Sequence, residues 1–191
     1  MFESGQSWKT AALKTSKCVC FFYLINLNNN VSRETLKIIF VIEVYVSRET
    51  LEVNMYEYYM KIAIKEANKA FKINEVPVGA VIVKNKKIIA KAYNKREKTK
   101  NVINHAEIIA ITKACKKIKN WRLDDCEIYI TMEPCMMCSG AIQQSRIKKI
   151  IYGVKNEKYG YSSNLKNVEI ISQICENECK KIVQSFFKKK R

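Results

Sequence analysis

The sequence predicts an α/β fold of three layers, a mixed five-stranded sheet with helices on both faces. Three observations carry this. Segments of helical and of extended period alternate in the order α-β-β-α-β-α-β-(β)-α. A two-residue turn at Asn85-Lys86 joins two strand-like runs as a tight hairpin. Two further helices open just after a loop or a strand, at His105-Ala106-Glu107 and at Cys135-Met136-Met137-Cys138, so that their N-termini can face each other across the sheet edge.

The first regular element is a helix over Tyr58–Phe71, where Ile62, Ala63, Ala67, Ala70 and Phe71 recur at helical spacing. Glu75-Val76-Pro77 turns the chain into a strand at Val78–Val83, and Lys87–Tyr93 returns as its partner. Asn94–Ile103 reads as a polar, basic loop. His105–Ile118 is a helix with Ile108, Ile109, Ile111 and Ala114 as its apolar side. Glu127–Met132 is the third strand. Pro134 suits a helix first turn, where its missing N–H costs nothing, so a helix runs over Cys135–Gln144. Lys149–Tyr152 is the fourth strand, Val154–Asn167 a loop or short helix, and Val168–Ser172 the fifth strand. Ile174–Phe187 is the last helix, followed by the basic tail Lys188-Lys189-Lys190-Arg191.

Residues 1–54 look unlike the rest and divide the chain into an N-terminal extension, 1–54, and a domain, 55–191. The extension repeats itself: Val31-Ser32-Arg33-Glu34-Thr35-Leu36 recurs as Val46-Ser47-Arg48-Glu49-Thr50-Leu51. Two copies are too few for a solenoid. Val-Ser-Arg-Glu-Thr can be encoded by GTT TCA CGT GAA AC, an inverted repeat that resembles the parS partition site bound by bacterial ParB proteins. The expectation is that this region is translated upstream DNA, with a start at Met55 or Met60. The alternative is a small docking extension, or a disordered one.

The chain of 191 residues is long enough for one domain with a real core. Eight cysteines, about four per cent, are too few for a disulfide scaffold. No apolar run reaches membrane-spanning length, and the apolar stretch Cys18–Leu24 lacks the features of a cleaved leader. A cytoplasmic protein is expected. Residues 1–54 carry six Lys/Arg against five Asp/Glu; residues 55–191 carry 29 against 13, a net charge of +16. The excess belongs to the domain and favours a polyanionic partner. A Lys/Ile/Asn-rich composition from an AT-rich genome is the plainer explanation.

His105 is the only histidine. His105-x-Glu107 followed by Pro134-Cys135-x-x-Cys138 is the signature of zinc-dependent nucleobase deaminases. One imidazole and two thiolates give three ligands to one tetrahedral Zn²⁺ per subunit, with the fourth position open to water, as in catalytic sites. Glu107 is no ligand; it is placed to move protons in catalysis. A structural zinc needs a fourth ligand, for which Cys115, Cys126, Cys175 and Cys179 compete, but none lies in a second CxxC. A redox CxxC needs neither His105 nor Glu107.

Residues 58–191 resemble the TadA-type bacterial tRNA adenosine deaminases. The matching stretches are Glu75–Val81, Asn104–Ile109, Glu133–Ser145 with Arg146-Ile147, then Glu178-Cys179 and Phe186-Phe187. The resemblance implies a cytidine deaminase-like fold, a homodimer, and an anticodon stem-loop bound across both subunits. It implies hydrolytic deamination of adenosine to inosine at the tRNA wobble position, usually of an arginine tRNA, with a zinc-activated hydroxide. Asn94 would then hydrogen-bond the base and Phe187 stack on a flanking one, the plainer readings being a turn residue and a helix-end core residue. Lys188–Arg191 would clamp phosphate; otherwise it is a solvated tail. Asn156 stands where family members usually carry Asp, in the loop lining the RNA groove, and the segment between Tyr161 and Val168 is shorter than in long members. The alternative function is a free nucleobase deaminase of the guanine or cytosine type, which shares the zinc and Glu107 but has no need of the basic charge.

Overall fold

The computed structural model describes residues 33–190, with side chains from Thr50 onward. The chain divides into two compact units, Met1–Glu52 and Val53–Arg191. Of the first, the described residues, 33–52, are helical. The elements are α1 (Arg33–Lys72), β1 (Gly79–Lys84), β2 (Lys87–Tyr93), a single-turn α2 (Arg96–Thr99), α3 (Ala106–Ile118), β3 (Cys126–Met132), α4 (Met136–Gln144), β4 (Lys149–Val154), a 3-10 turn (Ser162–Asn164), β5 (Glu169–Ile171) and α5 (Glu176–Lys190). The order matches the expectation, with three differences. α1 begins well before Tyr58. α2 forms inside the segment read as loop. Lys188–Lys190 continue α5 instead of forming a separate tail.

The strands lie in the order β2-β1-β3-β4-β5. β1 is antiparallel to β2 and β3; β3–β4 and β4–β5 are parallel. The hairpin turns on Asn85 and Lys86, with φ of 49° and 59°. A type I′ turn requires both central residues in this left-handed region, which Asn tolerates well and Lys poorly. The Tyr59 hydroxyl donates to the Lys86 carbonyl at 2.7 Å and pins the less favourable residue.

Side chains alternate between the two faces of the sheet, as the pleat demands, except at a bulge in β2, where Ile89 and Ala90 pack on the same side. Ala80, Ile82, Ile128 and Ile150 face α3 and α4, meeting Ala110, Ala114 and Ile142. Val81, Val83, Tyr129 and Ile151 face the other layer, meeting Met60 and Ala63 of α1 and Cys179 of α5. Gly79 permits the close approach of α1 to β1, because a Cβ there would overlap the Ala63 carbonyl. Along α1, residues 50–54 are exposed, and Tyr56 is the first buried one among the described side chains. Lys149 donates to the Tyr56 hydroxyl at 3.3 Å and pairs with Glu169 at 3.1 Å, tying that point of α1 to β4 and β5.

The buried side of α3 agrees with the expectation in part, since Ala114 is buried and Ile109 and Ile111 pack against the core. It is Ala106, Glu107, Ala110 and Ala114, while Ile108, Ile109 and Ile111 are half-buried. Alanine at every fourth position lets the helix backbone lie close to the sheet, and this brings its first turn into the core. The isoleucines flank that contact. Pro134 is also displaced from the expected place: Cys135 is the cap residue of α4, so the proline sits one residue before the helix boundary.

Candidate active site

Both metal-motif helices begin in the same way. His105 caps α3 with φ −75° and ψ 155°; Cys135 caps α4 with φ −74° and ψ 172°. A cap residue ordinarily turns its side chain back to the first helical N–H groups, an interaction worth about 1 kcal/mol. Neither His105 nor Cys135 does so. Their side chains turn to each other. The His105 Nδ1 lies 3.8 Å from Cys135 Sγ and 3.5 Å from Cys138 Sγ. The three donor atoms all lie within 4.8 Å of one another, and among the described residues this is the one such cluster. Cys115, Cys126, Cys175 and Cys179, the competitors for a fourth ligand, are free thiols elsewhere.

The donor set fits zinc. A tetrahedral ion with Zn–S near 2.3 Å and Zn–N near 2.0 Å sets N···S at about 3.6 Å, close to what the side chains already adopt. The thiols are prepared electrically as well. The hydrogen bond to Cys138, with His105 beside it, holds Cys135 down to about 4, while the same bond and burial push Cys138 well up. A soft dication displaces thiol protons on binding, and the α4 N-terminus favours thiolate by its dipole.

Glu107 lies in the first turn of α3, two residues past His105, and is almost wholly buried. Burial raises its carboxyl above the ordinary glutamate range, against the opposing effect of His105. It opens with His105 and Cys135 onto a cavity of about 880 Å³, near the upper end of the roughly 300–1,000 Å³ usual for ligand sites. Asn94, Asn156 and Phe187 line the same cavity. Asn94 is buried and donates through Nδ2 to Glu75 at 3.3 Å. Asn156 accepts the Tyr159 N–H on its side-chain oxygen at 3.1 Å, a bond that an aspartate oxygen would also accept. The two phenylalanines divide: Phe186 is core, against Phe71 at 5.9 Å, whereas half-exposed Phe187 forms wall. Arg191 lies outside the described residues.

Sequence reasoning missed two buried carboxylates that hold the cavity rims. Glu75 accepts the N–H groups of Glu97 at 3.1 Å and Lys98 at 2.7 Å besides the Asn94 amide, and so fixes the turn α2, which opens with Arg96. Glu133 accepts from Asn156 and Ser162 on the opposite loop. Each follows or precedes a strand next to a motif that was read; nothing in sequence reveals partners so far along the chain.

Fold and cluster together define a class: a cytidine deaminase-like α/β protein with a His/Cys/Cys donor set beside a buried glutamate. The family model of the MafB19-like deaminases matches residues 54–191. The tRNA-specific adenosine deaminase of Bacillus subtilis is 43% identical over 145 residues, 71% of this chain and 90% of that one. A solved tRNA:A34 deaminase, of the A-to-I editing enzymes acting at the wobble position of transfer RNA, superposes with a TM-score of 0.62 at 32% identity, covering 65% of this chain and 98% of that one. A guanine deaminase from Bacillus subtilis reaches a TM-score of 0.50 at 40% identity, covering 52% of this chain and 64% of that one. The chain belongs to the TadA-type tRNA-specific adenosine deaminases.

Proposed function

We propose that this protein deaminates adenosine to inosine at the wobble position of a tRNA, an arginine tRNA in the first instance. The observation that carries the reading is the buried Glu107 carboxyl set beside the His105–Cys135–Cys138 cluster on one cavity wall. Those three side chains would hold the zinc. When bound, zinc supplies Lewis acidity, which in hydrolytic sites brings the ionisation of water from about 15.7 to about 7. Glu107 moves the protons. Its carboxylate takes one from water and delivers it to N1 of the adenine, then takes the second from the new C6 hydroxyl and passes it to the departing amine. The C6–O bond forms, the C6–N6 bond breaks, and ammonia leaves inosine behind. A carboxyl raised by burial holds a proton more readily than an ordinary glutamate, which suits a group that must both take and give one. Asn94 orients the base. The tRNA-specific deaminase relative, matched over 90% of its length, favours RNA over the free nucleobase alternative; the guanine deaminase is matched over 64% of its own. Purified protein offered a wobble-adenosine stem-loop and free guanine in parallel should release ammonia from the RNA; release from guanine alone would reverse the choice.

Phe187 and the last turn of α5 complete the RNA-binding surface. Phe187 is a stacking platform for a flanking base, and Lys188–Lys190, all exposed, meet phosphates together with Arg191. Replacing Lys188, Lys189 and Lys190 by Gln keeps the helix length and removes three charges. Binding should weaken, and the slope of log K against log salt should flatten by up to about 2–3, at roughly 0.7–0.9 for each phosphate that the variant leaves un-neutralised. An unchanged slope would mean that the lysines are merely solvated.

We further propose a cytoplasmic homodimer. Val102, Ile103 and Met136 are exposed beside the N-termini of α3 and α4, and Ile108, Ile109 and Ile111 are only half-buried, an apolar surface that suits a second copy. Thiolate ligands suit a reducing compartment. Among the described residues no helix is long and apolar enough to cross a membrane.

The deaminase domain we place at 55–191, with 1–54 as translated upstream DNA. The exposure of residues 50–54 before buried Tyr56 and the family match starting at 54 support that boundary. A chain beginning at Met55 should melt within about 2 °C of the full chain and be equally active. Mass spectrometry of the native protein should find an N-terminus near Met55; abundant peptides from Val31–Val53 would refute the idea.

A further inference from the structure

One buried carboxylate on the cavity wall takes no part in the reaction. Glu133 directly precedes the Pro134-Cys135 turn and is 6% exposed, yet among the described residues no cation pairs with it. Its Oε2 accepts the Asn156 N–H at 3.2 Å. Its Oε1 accepts the Ser162 N–H at 3.3 Å and the Ser162 hydroxyl at 2.6 Å. One side chain therefore grips both ends of the 156–162 loop. The backbone repeats the attachment between those ends: the Tyr161 N–H donates to the Pro134 carbonyl at 3.1 Å, and Gly160 bridges to Cys135. Gly160 leaves room for the carboxylate, because a Cβ there would overlap Glu133 Oε2. Between the anchors stand Lys158 and Tyr159, on the cavity wall. Tyr159 is 61% exposed, with Lys158 Nζ 5.0 Å from its ring centre.

Burying a carboxylate without a counter-ion is costly, and it is tolerated only where several donors converge on it. A surface loop has water to satisfy its N–H groups and needs no such device for stability. The arrangement instead fixes where the loop stands relative to Cys135, the cap of the metal-binding helix.

We propose that Glu133 is a positioning residue for RNA binding. It holds the Asn156–Ser162 rim at a set height over the Pro134-Cys135 turn, so that Lys158 and Tyr159 meet the nucleotide beside the one being deaminated. This rests on the tRNA deaminase reading of the site. Glu133 touches no reacting atom. The contacts it sets up are made equally in the ground state and in the transition state, so losing them raises KM and spares kcat.

The test uses two variants and a wobble-adenosine anticodon stem-loop. Glu133→Gln keeps the size and an acceptor toward Ser162 but turns an amide N–H against that of Asn156. Ser162→Ala removes only the hydroxyl bond. KM should rise about tenfold or more in the first variant and about threefold in the second. kcat at saturation should stay within about twofold, and zinc content should be unchanged. The double variant should fall short of the product of the singles, because both act through one attachment. Trypsin should cut after Lys158 faster in each. Unchanged KM in both variants would overturn the proposal. So would a loss of zinc and kcat at constant KM, which would make Glu133 a support of the metal turn alone. Should Glu133→Gln fail to fold, Ser162→Ala decides by the same readings. A parent protein that leaves the stem-loop unmodified sinks the deaminase reading and this proposal together; an active parent with unaltered variants sinks this proposal only.

Discussion

Glu107→Ala is expected to lower kcat for adenosine deamination by at least about 100-fold while fold and zinc content stay as they are. Positioned proton transfer contributes roughly 10²–10⁴-fold, and here the same carboxyl serves the water, the ring nitrogen and the leaving amine. The residue belongs to the first turn of α3 and is buried, with a raised pKa, so the folded state bears the cost of its charged form. Removing it relieves that cost, and the melting temperature should not fall. Glu107→Gln keeps the shape and loses the exchangeable acid, so it should be as inactive as Ala. Single-turnover inosine formation, metal analysis and a thermal melt on each variant check this. Residual activity above about a tenth, or loss of the metal, would remove Glu107 from its role.

Cys138→Ala should leave the protein without stoichiometric zinc and reduce deamination to background. Cys138 is fully buried in the first turn of α4, within 3.5 Å of His105 Nδ1, and its loss leaves two donors where tetrahedral binding with one open position needs three. Chelation of the parent should have the same effect, reversed by added Zn²⁺; Cys138→Ala should not be rescued. Because the metal binds the folded state, chelation should also lower the melting temperature, on the scale of about 4 kcal/mol when free zinc is 1,000 times its Kd. An active, zinc-free Cys138→Ala would show that hydrolysis here needs no metal.

What was legible in sequence is what chemistry or local backbone geometry demands at fixed spacing. His105, Glu107, Cys135 and Cys138 could be read because one reaction needs those types in that order, and the structure brings the four together. β2 was legible to the residue because the Asn85-Lys86 turn sets its start. The apolar side of α3 was legible in part: Ala114 is buried and Ile109 and Ile111 pack against the core, but close packing on the sheet also selects Ala106 and Ala110, which their size does not mark. The last turn of α5 has only exposed lysines, so no apolar period marked it as helix; residues 50–54 of α1 are exposed for the same lack of a buried face. Glu75 and Glu133 were illegible for a different reason. Acidic residues beside strands resemble surface charge, and their partners are backbone N–H groups brought in by tertiary structure, 23 residues away for Lys98 and 29 for Ser162.

Position-resolved inosine mapping of tRNA incubated with the purified, zinc-loaded protein decides whether it deaminates the wobble position. Inosine is expected at the wobble adenosine of an arginine tRNA, nowhere else in that molecule, and not at all with Glu107→Ala. Unmodified tRNA alongside turnover of a free nucleobase would contradict this expectation.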